Sequence, residues 1–145
     1  MNWREGMIID ASVLLNAFFP DEDQAQAQLL LRNHAAGRIR LKAPTLLMDE
    51  ISNAVWQAER RGRITSAQTD EILQTASALG IDLMPLDWGE ALPLARRFGR
   101  SAYDAAYLTL AERLGEPLIT GDLRLYNAVH VTLDWVLWIG EYSKE

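Results

Sequence analysis

Met7-Ile8-Ile9-Asp10 is the stretch of sequence that indicates the fold of this chain, and it runs directly into Ser12-Val13-Leu14-Leu15. A short apolar run rich in β-branched residues, followed at once by a helical pattern, is typical of a buried central strand. Asp10 then lies at the carboxyl end of that strand, the end where ligands bind in open α/β sheets. An alternative stays open, because Asp is also among the best residues for capping a helix N-terminus.

Length and composition predict one ordinary globular domain, which we assign to residues 1–145. The chain has 145 residues, of which 49% are hydrophobic and 23% charged, enough for one substantial core. It has no cysteine, so disulfides and thiolate metal sites are excluded. The first residues are too polar for a signal peptide, and no apolar run approaches the ~20 residues that span a bilayer. We therefore expect a cytoplasmic protein that does not bind membranes.

The charge of the chain limits its contacts with nucleic acids. Its net charge is −6, which argues against general coating of nucleic acid, because non-specific binding depends on Lys and Arg neutralising phosphates. Any such contact must come from local arginines together with cations. The excess of acidic residues also suits a basic partner, or only solubility.

Strand and helix patterns alternate along the chain. After the first strand, further strands are predicted at Ile39–Lys42, Ile81–Met84, Pro117–Thr120 and Val129–Leu133, the first and last of these as edge strands. This alternation implies a mostly parallel sheet with helices on both faces, a three-layer α/β/α fold. The apolar tail Trp135–Ile139 should pack on the domain or on another subunit.

Cap residues and glycines mark the helix boundaries. The predicted helices cover residues 12–18, 22–36, 45–61, 66–79, 88–98, 102–114 and 123–127. Asp21 is expected to cap the second of them, and capping boxes open the fourth, fifth and sixth at Thr65, Asp87 and Ser101. Pro93 lies inside the fifth pattern and should kink that helix or delay its start. His34, in the second helix, is expected at the surface.

Four acidic residues fall where this fold would bring its strand ends together. Asp10 and Asp122 directly follow strand ends, Asp104 begins the helix that leads into the fourth strand, and Glu50 lies in the first turns of the helix after the second strand. Because parallel strands joined by right-handed crossovers all end at one edge, the four can face one cleft. Each also has a local explanation, since Asp104 completes a capping box and Glu50 is favourable in an early helical turn.

Carboxylates gathered in one cleft repel each other and need a cation or several donors to stay ionised. A ligand set of oxygens alone suits Mg²⁺ or Mn²⁺ and argues against zinc. Mg²⁺ takes few protein carboxylates and leaves room for a phosphate, so the chemistry that follows is phosphodiester hydrolysis by a metal-activated water. The candidate metal ligands and catalytic residues are therefore Asp10, Glu50, Asp104 and Asp122.

Polar neighbours of these acids are candidates for supporting roles. Ser12, Asn53 and Thr120 could hold waters or carboxylates in place, although turn and cap hydrogen bonds would explain them equally well. Arginines that flank the acids could bind phosphates on either side of the cut, although each alone is also explained as a solvated surface residue. These arginines are Arg96, Arg97, Arg100 and Arg124.

Four ordered motifs resemble those of PIN-domain proteins, and most closely the VapC-type toxins of prokaryotic toxin–antitoxin pairs. The motifs are Ile8–Leu14, the helix of Glu50 with Asn53-Ala54, Ser101–Leu108 and Leu118–Asp122. The resemblance extends from Met7 to about Leu133. Each motif alone is weak, but the ordered set is specific.

The resemblance implies an endoribonuclease dependent on Mg²⁺ or Mn²⁺, a homodimer, and a cognate VapB-type antitoxin whose tail blocks the cleft. It also implies a five-stranded sheet in the order 3-2-1-4-5, with Asp10 and Asp122 at the topological switch point. By the same resemblance Asp10 and Asp104 are the surest metal ligands and Glu50 comes next. Gly121 and Pro93 depart from the family pattern.

Two other classes of function fit parts of the sequence. A phosphatase or receiver domain would use an aspartate at a strand end as its nucleophile. Asp10-Ala11-Ser12 lacks the second acid that such phosphatases place two residues on, and no lysine lies near the late motifs. A PIN-like module that binds RNA or protein without cutting would keep the fold and lose the chemistry. The presence of all four acids favours hydrolysis.

Overall fold

The sheet is built around β1 (Gly6–Ile9), as the opening motif predicts. The computed structural model describes residues 6–143, and its five strands lie in the order β3-β2-β1-β4-β5 with every neighbouring pair parallel. The other strands are β2 (Arg40–Pro44), β3 (Asp82–Met84), β4 (Leu118–Thr120) and β5 (Val136–Trp138). The predicted fold class and strand order are therefore confirmed.

Helices connect the strands and cover the sheet. In residues 6–143 they are α1 (Ala11–Phe18), α2 (Ala25–Ala35), α3 (Leu46–Arg60), α4 (Ser66–Ala78), α5 (Trp88–Phe98), α6 (Ala102–Leu114) and α7 (Leu123–Val129), with a 3₁₀ turn at Ile139–Glu141. Across the same residues, none of them has the length and apolar character needed to cross a membrane. Helix α6 packs across β1, β2 and β4, and its residues 105–111 are all buried. Its small alanines allow this close approach to the sheet.

The position of β1 creates the crevice at which a ligand would bind. Ile8 pairs with Lys42 of β2 on one side and with Leu118 of β4 on the other. Ile8 and Ile9 are fully buried, because β1 has a neighbour on each side and packs within the hydrophobic core. The chain leaves β1 toward β2, while β4 lies on the opposite side of β1. The carboxyl ends of β1 and β4 therefore flank the topological switch point of the sheet.

The prediction that residues 39–42 form an edge strand is wrong. β2 pairs with both β1 and β3, so it is an interior strand, and the three-residue β3 lies at the edge. Of the two basic residues that suggested exposure, Arg40 is exposed, and Lys42 binds Glu116 through its ammonium group at 2.9 and 3.1 Å. A charged side chain on an interior strand is tolerated here because a carboxylate neutralises it.

The fifth strand lies later in the chain than predicted. Residue Val129 ends α7, and β5 is Val136–Trp138, within the apolar tail, which therefore packs on this domain beside β4. Alternation would place Val129, Val131 and Leu133 on one face of a strand. Instead Val131 is 85% exposed, whereas Val129 and Leu133 are 1% and 6% exposed. Val129 and Leu133 are four residues apart and are buried together, as in a turn of helix, so the alternation in the sequence does not mark a strand.

The start of α2 differs from expectation, whereas the starts of α4 and α5 agree with it. Asp21 does not cap α2, which begins at Ala25 with Gln24 at its N-cap, because the Asp21 carboxylate binds Arg63 through two hydrogen bonds of 2.7 Å. Pro93 does not delay α5, which runs without interruption from Trp88 to Phe98. The capping box at Thr65 is confirmed in both of its hydrogen bonds.

His34 joins three elements instead of facing solvent. The backbone N–H of Leu41, in β2, donates to His34 Nδ1 at 3.1 Å, and His34 Nε2 lies 2.7 Å from the carbonyl oxygen of Leu79. The first bond requires an unprotonated Nδ1, so Nε2 carries the proton and donates. His34 thus fastens α2 to the sheet and to the end of α4.

Candidate active site

Asp10 lies at the carboxyl end of β1, where its side chain is 6% exposed. It occupies the N-cap position of α1, but its carboxylate makes no capping hydrogen bond. Instead Ser12 Oγ donates to Asp10 Oδ1 and Thr120 Oγ1 donates to Asp10 Oδ2, each at 2.5 Å. Asp10 therefore does not act as a side-chain cap of α1, because its two carboxylate oxygens accept hydrogen bonds from Ser12 and Thr120 instead.

The chain after β4 closes around the same hydroxyl groups. Gly121 N–H donates to Ser12 Oγ at 2.8 Å, and Asp122 N–H donates to Thr120 Oγ1 at 3.0 Å. A Cβ at Gly121 would overlap the side-chain amide of Asn16 in α1. The glycine that departs from the family pattern therefore leaves room for the Asn16 side chain of α1 at the end of β4.

Asp122 has a capping role in addition to its place at the crevice. Its Oδ1 accepts hydrogen bonds from the backbone N–H groups of Arg124 and Leu125, at 3.0 and 3.3 Å, and so caps α7. The cap fixes this carboxylate beside the end of β4. Oδ2 makes no hydrogen bond within residues 6–143, so it stays free to accept another ligand.

Asp104 lies in the first turn of α6 and binds Arg100. Arg100 Nε and Nη2 lie 3.2 and 3.1 Å from Asp104 Oδ2. Ser101 Oγ accepts the backbone N–H of Asp104 at 3.0 Å, which is half of the predicted capping box. The Asp104 carboxylate itself is not used in capping, since its bonds go to the guanidinium group.

Glu50 is held by a residue that sequence reasoning did not select. Tyr107 Oη donates to Glu50 Oε1 at 2.5 Å, and the Tyr107 side chain is almost completely buried. Burial is the main cause that raises the pKa of Tyr107, with the charge of Glu50 adding to it, so this hydroxyl keeps its proton and remains a donor. A signal was present, because Tyr107 is three residues after Asp104 and therefore shares its face of α6.

The acids influence one another electrostatically. Burial raises the pKa of Asp10 to about 7, and the charges of Asp122 and Asp104 add to the rise, against hydrogen bonds from Ser12 and Thr120 that lower it. Burial also raises the pKa of Asp104 and of Glu50, and each feels a neighbouring acid, Asp122 for the first and Asp104 for the second. The four acids therefore share a region whose negative charge is only partly compensated.

The donor chemistry fits a hard divalent cation, although the side chains are not gathered around one point. All candidate donors are carboxylate or hydroxyl oxygens, the ligands that Mg²⁺ and Mn²⁺ prefer. Within residues 6–143, however, no three Asp, Glu or His side chains are close enough to form a ready-made metal site. The structure brings the four acids to one edge of the sheet and leaves each bound to a partner of its own.

The remaining predicted residues are placed around this centre. An open cleft of about 570 Å³ lies beside Glu50 and is lined by, among others, Asp49, Asn53, Trp88 and Tyr103. Asn53 is exposed on its wall and makes no hydrogen bond to the acids within the described residues. Ser12 and Thr120, by contrast, bind Asp10 as expected of supporting residues.

The flanking arginines differ in environment. Arg96, Arg97 and Arg124 have exposed side chains. The Arg97 guanidinium lies 4.9 Å from the centroid of the Phe98 ring. In the part of the chain that the structure describes, only Arg100 of the four binds one of the candidate acids. The exposed three are accessible to a phosphate, whereas Arg100 first has to leave Asp104.

Comparison with known proteins agrees with this fold and motif order. The family model of the PIN domain matches residues 7–131. The protein named ribonuclease VapC3 of Pyrobaculum aerophilum is 29% identical over 123 residues, which cover 82% of this chain and 91% of that relative. The protein named ribonuclease VapC9 of Mycobacterium tuberculosis is 34% identical over 119 residues, which cover 82% and 87% respectively.

A solved structure gives independent support for the fold. The crystal structure of PAE2754 from Pyrobaculum aerophilum superimposes with a TM-score of 0.73 at 23% identity, and the match covers 94% of this chain and 92% of that one. The family match extends over most of the chain, and the strand order is the one that the motifs imply. The chain therefore belongs to the PIN-domain family and is of its VapC type.

Proposed function

We propose that this chain is an endoribonuclease that depends on Mg²⁺ or Mn²⁺ and acts as the toxin of a toxin–antitoxin pair. The observation that carries the proposal is the position of Asp10, Glu50, Asp104 and Asp122 at the carboxyl edge of the sheet, where burial raises the pKa of Asp10 and the charges of Asp122 and Asp104 add to the rise. The ribonuclease names of the VapC relatives support the choice of RNA as substrate.

The resemblance to VapC-type proteins suggests which acids bind the cation, and the contacts in the structure suggest the supporting roles. Asp10 and Asp104 are the principal ligands for the cation, and Glu50 and Asp122 contribute further oxygens. Ser12 and Thr120 hold both oxygens of Asp10 in a fixed orientation. Tyr107 holds one oxygen of Glu50, which leaves the other free for a ligand or its water. When bound, the cation lowers the pKa of a coordinated water and offsets the negative charge of the phosphodiester.

Binding of RNA by a chain with net charge −6 requires local positive charge. Arg96, Arg97, Arg100 and Arg124 flank the acids in the sequence and are the proposed phosphate contacts. Because these contacts are few, we expect weak binding of RNA that strengthens when the cation is present and weakens as salt is added.

The test is cleavage of RNA by the purified chain with and without divalent cations. We expect cleavage in Mg²⁺ or Mn²⁺ and none after dialysis against excess chelator, with activity restored by the added metal. Cleavage that continues at the same rate in chelator would contradict the proposal. A preparation carrying Asp104→Asn serves as the control for contaminating ribonuclease.

Partners form the second half of the proposal. The resemblance suggests a homodimer and a VapB-type antitoxin that blocks the cleft, and the acidic charge of the chain suits a basic segment of such a partner. Co-purification with the product of a neighbouring reading frame, together with loss of cleavage in that complex, would support the pairing. Light scattering of the isolated chain measures whether it is a dimer.

A second candidate function is a PIN-like module that binds RNA or protein without cutting. It is favoured by one observation, the absence of a ready-made group of three ligands within residues 6–143. This candidate predicts normal partner binding and no binding of Mn²⁺ at millimolar concentration. Titration of the purified chain with Mn²⁺ therefore separates the two functions.

A further inference from the structure

The Arg100 guanidinium binds one of the two carboxylate oxygens of Asp104, where its charge would repel a cation. Both Nε and Nη2 of the guanidinium point at the same oxygen, Asp104 Oδ2, at 3.2 and 3.1 Å. The side chains of the pair are 23% and 25% exposed, so the contact is shielded more than an ordinary surface ion pair. The guanidinium compensates the acid in the absence of any other cation.

The backbone fixes both members of this pair. Gly99 ends α5 in the left-handed conformation, so Arg100 starts the short connection to α6. Asp104 is held in the first turn of α6 by the hydrogen bond from its N–H to Ser101 Oγ. The Asp104 carboxylate therefore stays at the crevice if the long, flexible Arg100 side chain moves away. Exchange of its partner requires rotation of one side chain and no change of fold.

The other acids show why exchange at Asp104 matters. Asp10 is bound by two uncharged hydroxyl groups and Glu50 by one. Neutral donors can remain in place while a metal binds a carboxylate, as supporting groups of metal ligands do. A guanidinium cannot remain beside a divalent cation on the same oxygen without strong repulsion. Arg100 is thus the one charged group bound to these acids within residues 6–143, and its charge would oppose the binding of a cation to Asp104.

We propose that Arg100 and the divalent cation compete for Asp104, and that the guanidinium released by the cation contacts a phosphate of the RNA. This inference rests on the proposed ribonuclease function and gives Arg100 a role in its order of events. In the metal-free chain the arginine is occupied, and RNA meets one fewer phosphate-binding group. Loading of the cation frees it, so cation and RNA strengthen each other's binding.

The first experiment measures Mn²⁺ affinity of the full chain by calorimetry in the absence of RNA. Arg100→Gln removes the competing charge, so we expect Mn²⁺ to bind about three- to tenfold more tightly than to the unaltered chain, the range typical of a partly shielded ion pair. Arg100→Lys keeps the charge with a poorer fit and should give an intermediate affinity. Thermal unfolding of each variant checks that the fold is retained.

Arg113→Gln is the matched control. It removes the same charge from the far end of α6, where Arg113 lies 4.0 Å from Glu90 in an exposed pair. The Mn²⁺ affinity of Arg113→Gln should stay within about twofold of the original, since salt screens an exposed charge at the opposite end of α6 from Asp104. Equal or weaker Mn²⁺ binding by Arg100→Gln would overturn competition and show that Arg100 supports Asp104 while the metal is bound.

The second experiment measures RNA binding, to test whether the released Arg100 guanidinium contacts a phosphate. Binding of a short fluorescent single-stranded RNA is followed with and without saturating Ca²⁺, and gel electrophoresis confirms that the RNA is intact. Ca²⁺ should strengthen binding about three- to tenfold more in the original chain than in Arg100→Gln, since only the original gains a phosphate contact. An equal gain in both proteins would overturn the transfer to phosphate. If neither the original chain nor Arg100→Gln binds Mn²⁺, the proposed metal-dependent function fails together with this inference. If both bind Mn²⁺ and gain equally, only the transfer of Arg100 to phosphate fails.

Discussion

The two ends of the sheet hold acidic residues in opposite electrostatic states. Where the strands begin, Glu116 binds the Lys42 ammonium at 2.9 and 3.1 Å and accepts the Gly6 N–H at 3.0 Å. Where the strands end, Asp10 is almost completely buried, and within residues 6–143 its carboxylate accepts hydrogen bonds only from the hydroxyl groups of Ser12 and Thr120. Lys42 neutralises Glu116, whereas no cationic side chain among those residues binds Asp10.

The difference is in the charge that the protein itself supplies. The Lys42 ammonium neutralises Glu116, which fastens the start of β1 to β2 and to the segment before β4. Incomplete compensation at Asp10 and Glu50 costs stability, which a protein tolerates where a ligand supplies the missing charge. The following predictions test whether the two ends behave in these different ways.

The largest effect is expected for Asp104→Asn. Loss of this carboxylate should lower the rate of RNA cleavage by about 100-fold or more, because a metal ligand contributes several kcal/mol to stabilising the transition state. Glu116→Gln is the matched control at the other end of the sheet and should cut RNA at the original rate. A gel assay in Mg²⁺ measures both variants. Equal loss in the two would mean that the ends are not functionally distinct.

The pH dependence of stability should report Asp10 in the metal-free chain. Burial raises the pKa of Asp10 to about 7 in the folded chain, against its ordinary value of 3.8. Between these values the folded state holds a proton that the unfolded state has released, so stability falls as pH rises. We expect a loss of roughly 2 to 3 kcal/mol between pH 4.5 and 6.5 in denaturant titrations.

Asp10→Asn provides the control for this titration. It removes the ionisable group at the same position, so the fall in stability over that pH range should largely disappear. Glu116→Gln should keep the fall, because it lies at the opposite end of the sheet. A steep fall that persists in Asp10→Asn would assign the titration to another group and contradict the contrast drawn here.

Lys42→Met tests the neutralised end. The side chains of Lys42 and Glu116 are each 17% exposed, so removal of the cation leaves a shielded carboxylate without a partner. We expect a loss of about 2 kcal/mol in the free energy of unfolding. The double variant Lys42→Met with Glu116→Met should recover much of that loss, and RNA cleavage should be unaffected in both. A loss of cleavage without a loss of stability would contradict this contrast, because it would show that Lys42 and Glu116 support cleavage and not stability.

The smallest effect is expected for Tyr107→Phe, which deletes one hydroxyl. Glu50 would lose the donor that orients it, and cleavage should fall about tenfold, with weaker Mn²⁺ binding, as for other groups that support a metal ligand. Tyr126→Phe is the control, since Tyr126 stacks on His130 and contacts Trp138 rather than the acids. Unchanged Mn²⁺ affinity in Tyr107→Phe would show that the hydroxyl is only structural.

The sequence by itself determined the succession of strands and helices along most of the chain and indicated the four acids as candidates. These features depend on local patterns: apolar runs, helical spacing and cap residues act over a few neighbouring residues. For the same reason the capping box at Thr65 was predicted in full. Local patterns failed at β5, where residues 129–133 alternate in sequence but form the end of α7 and the turn after it.

Only the tertiary structure decided the partners of each residue. The pairing of β2 on both sides, the bond from Tyr107 to Glu50, and the contact of Asn16 with Gly121 join residues far apart in the chain. Arg100 and Asp104 are close in sequence, yet spacing alone left open whether the arginine faces solvent, a phosphate or the acid. Burial decides such choices, because it fixes which charges lack solvent and must find a partner in the protein.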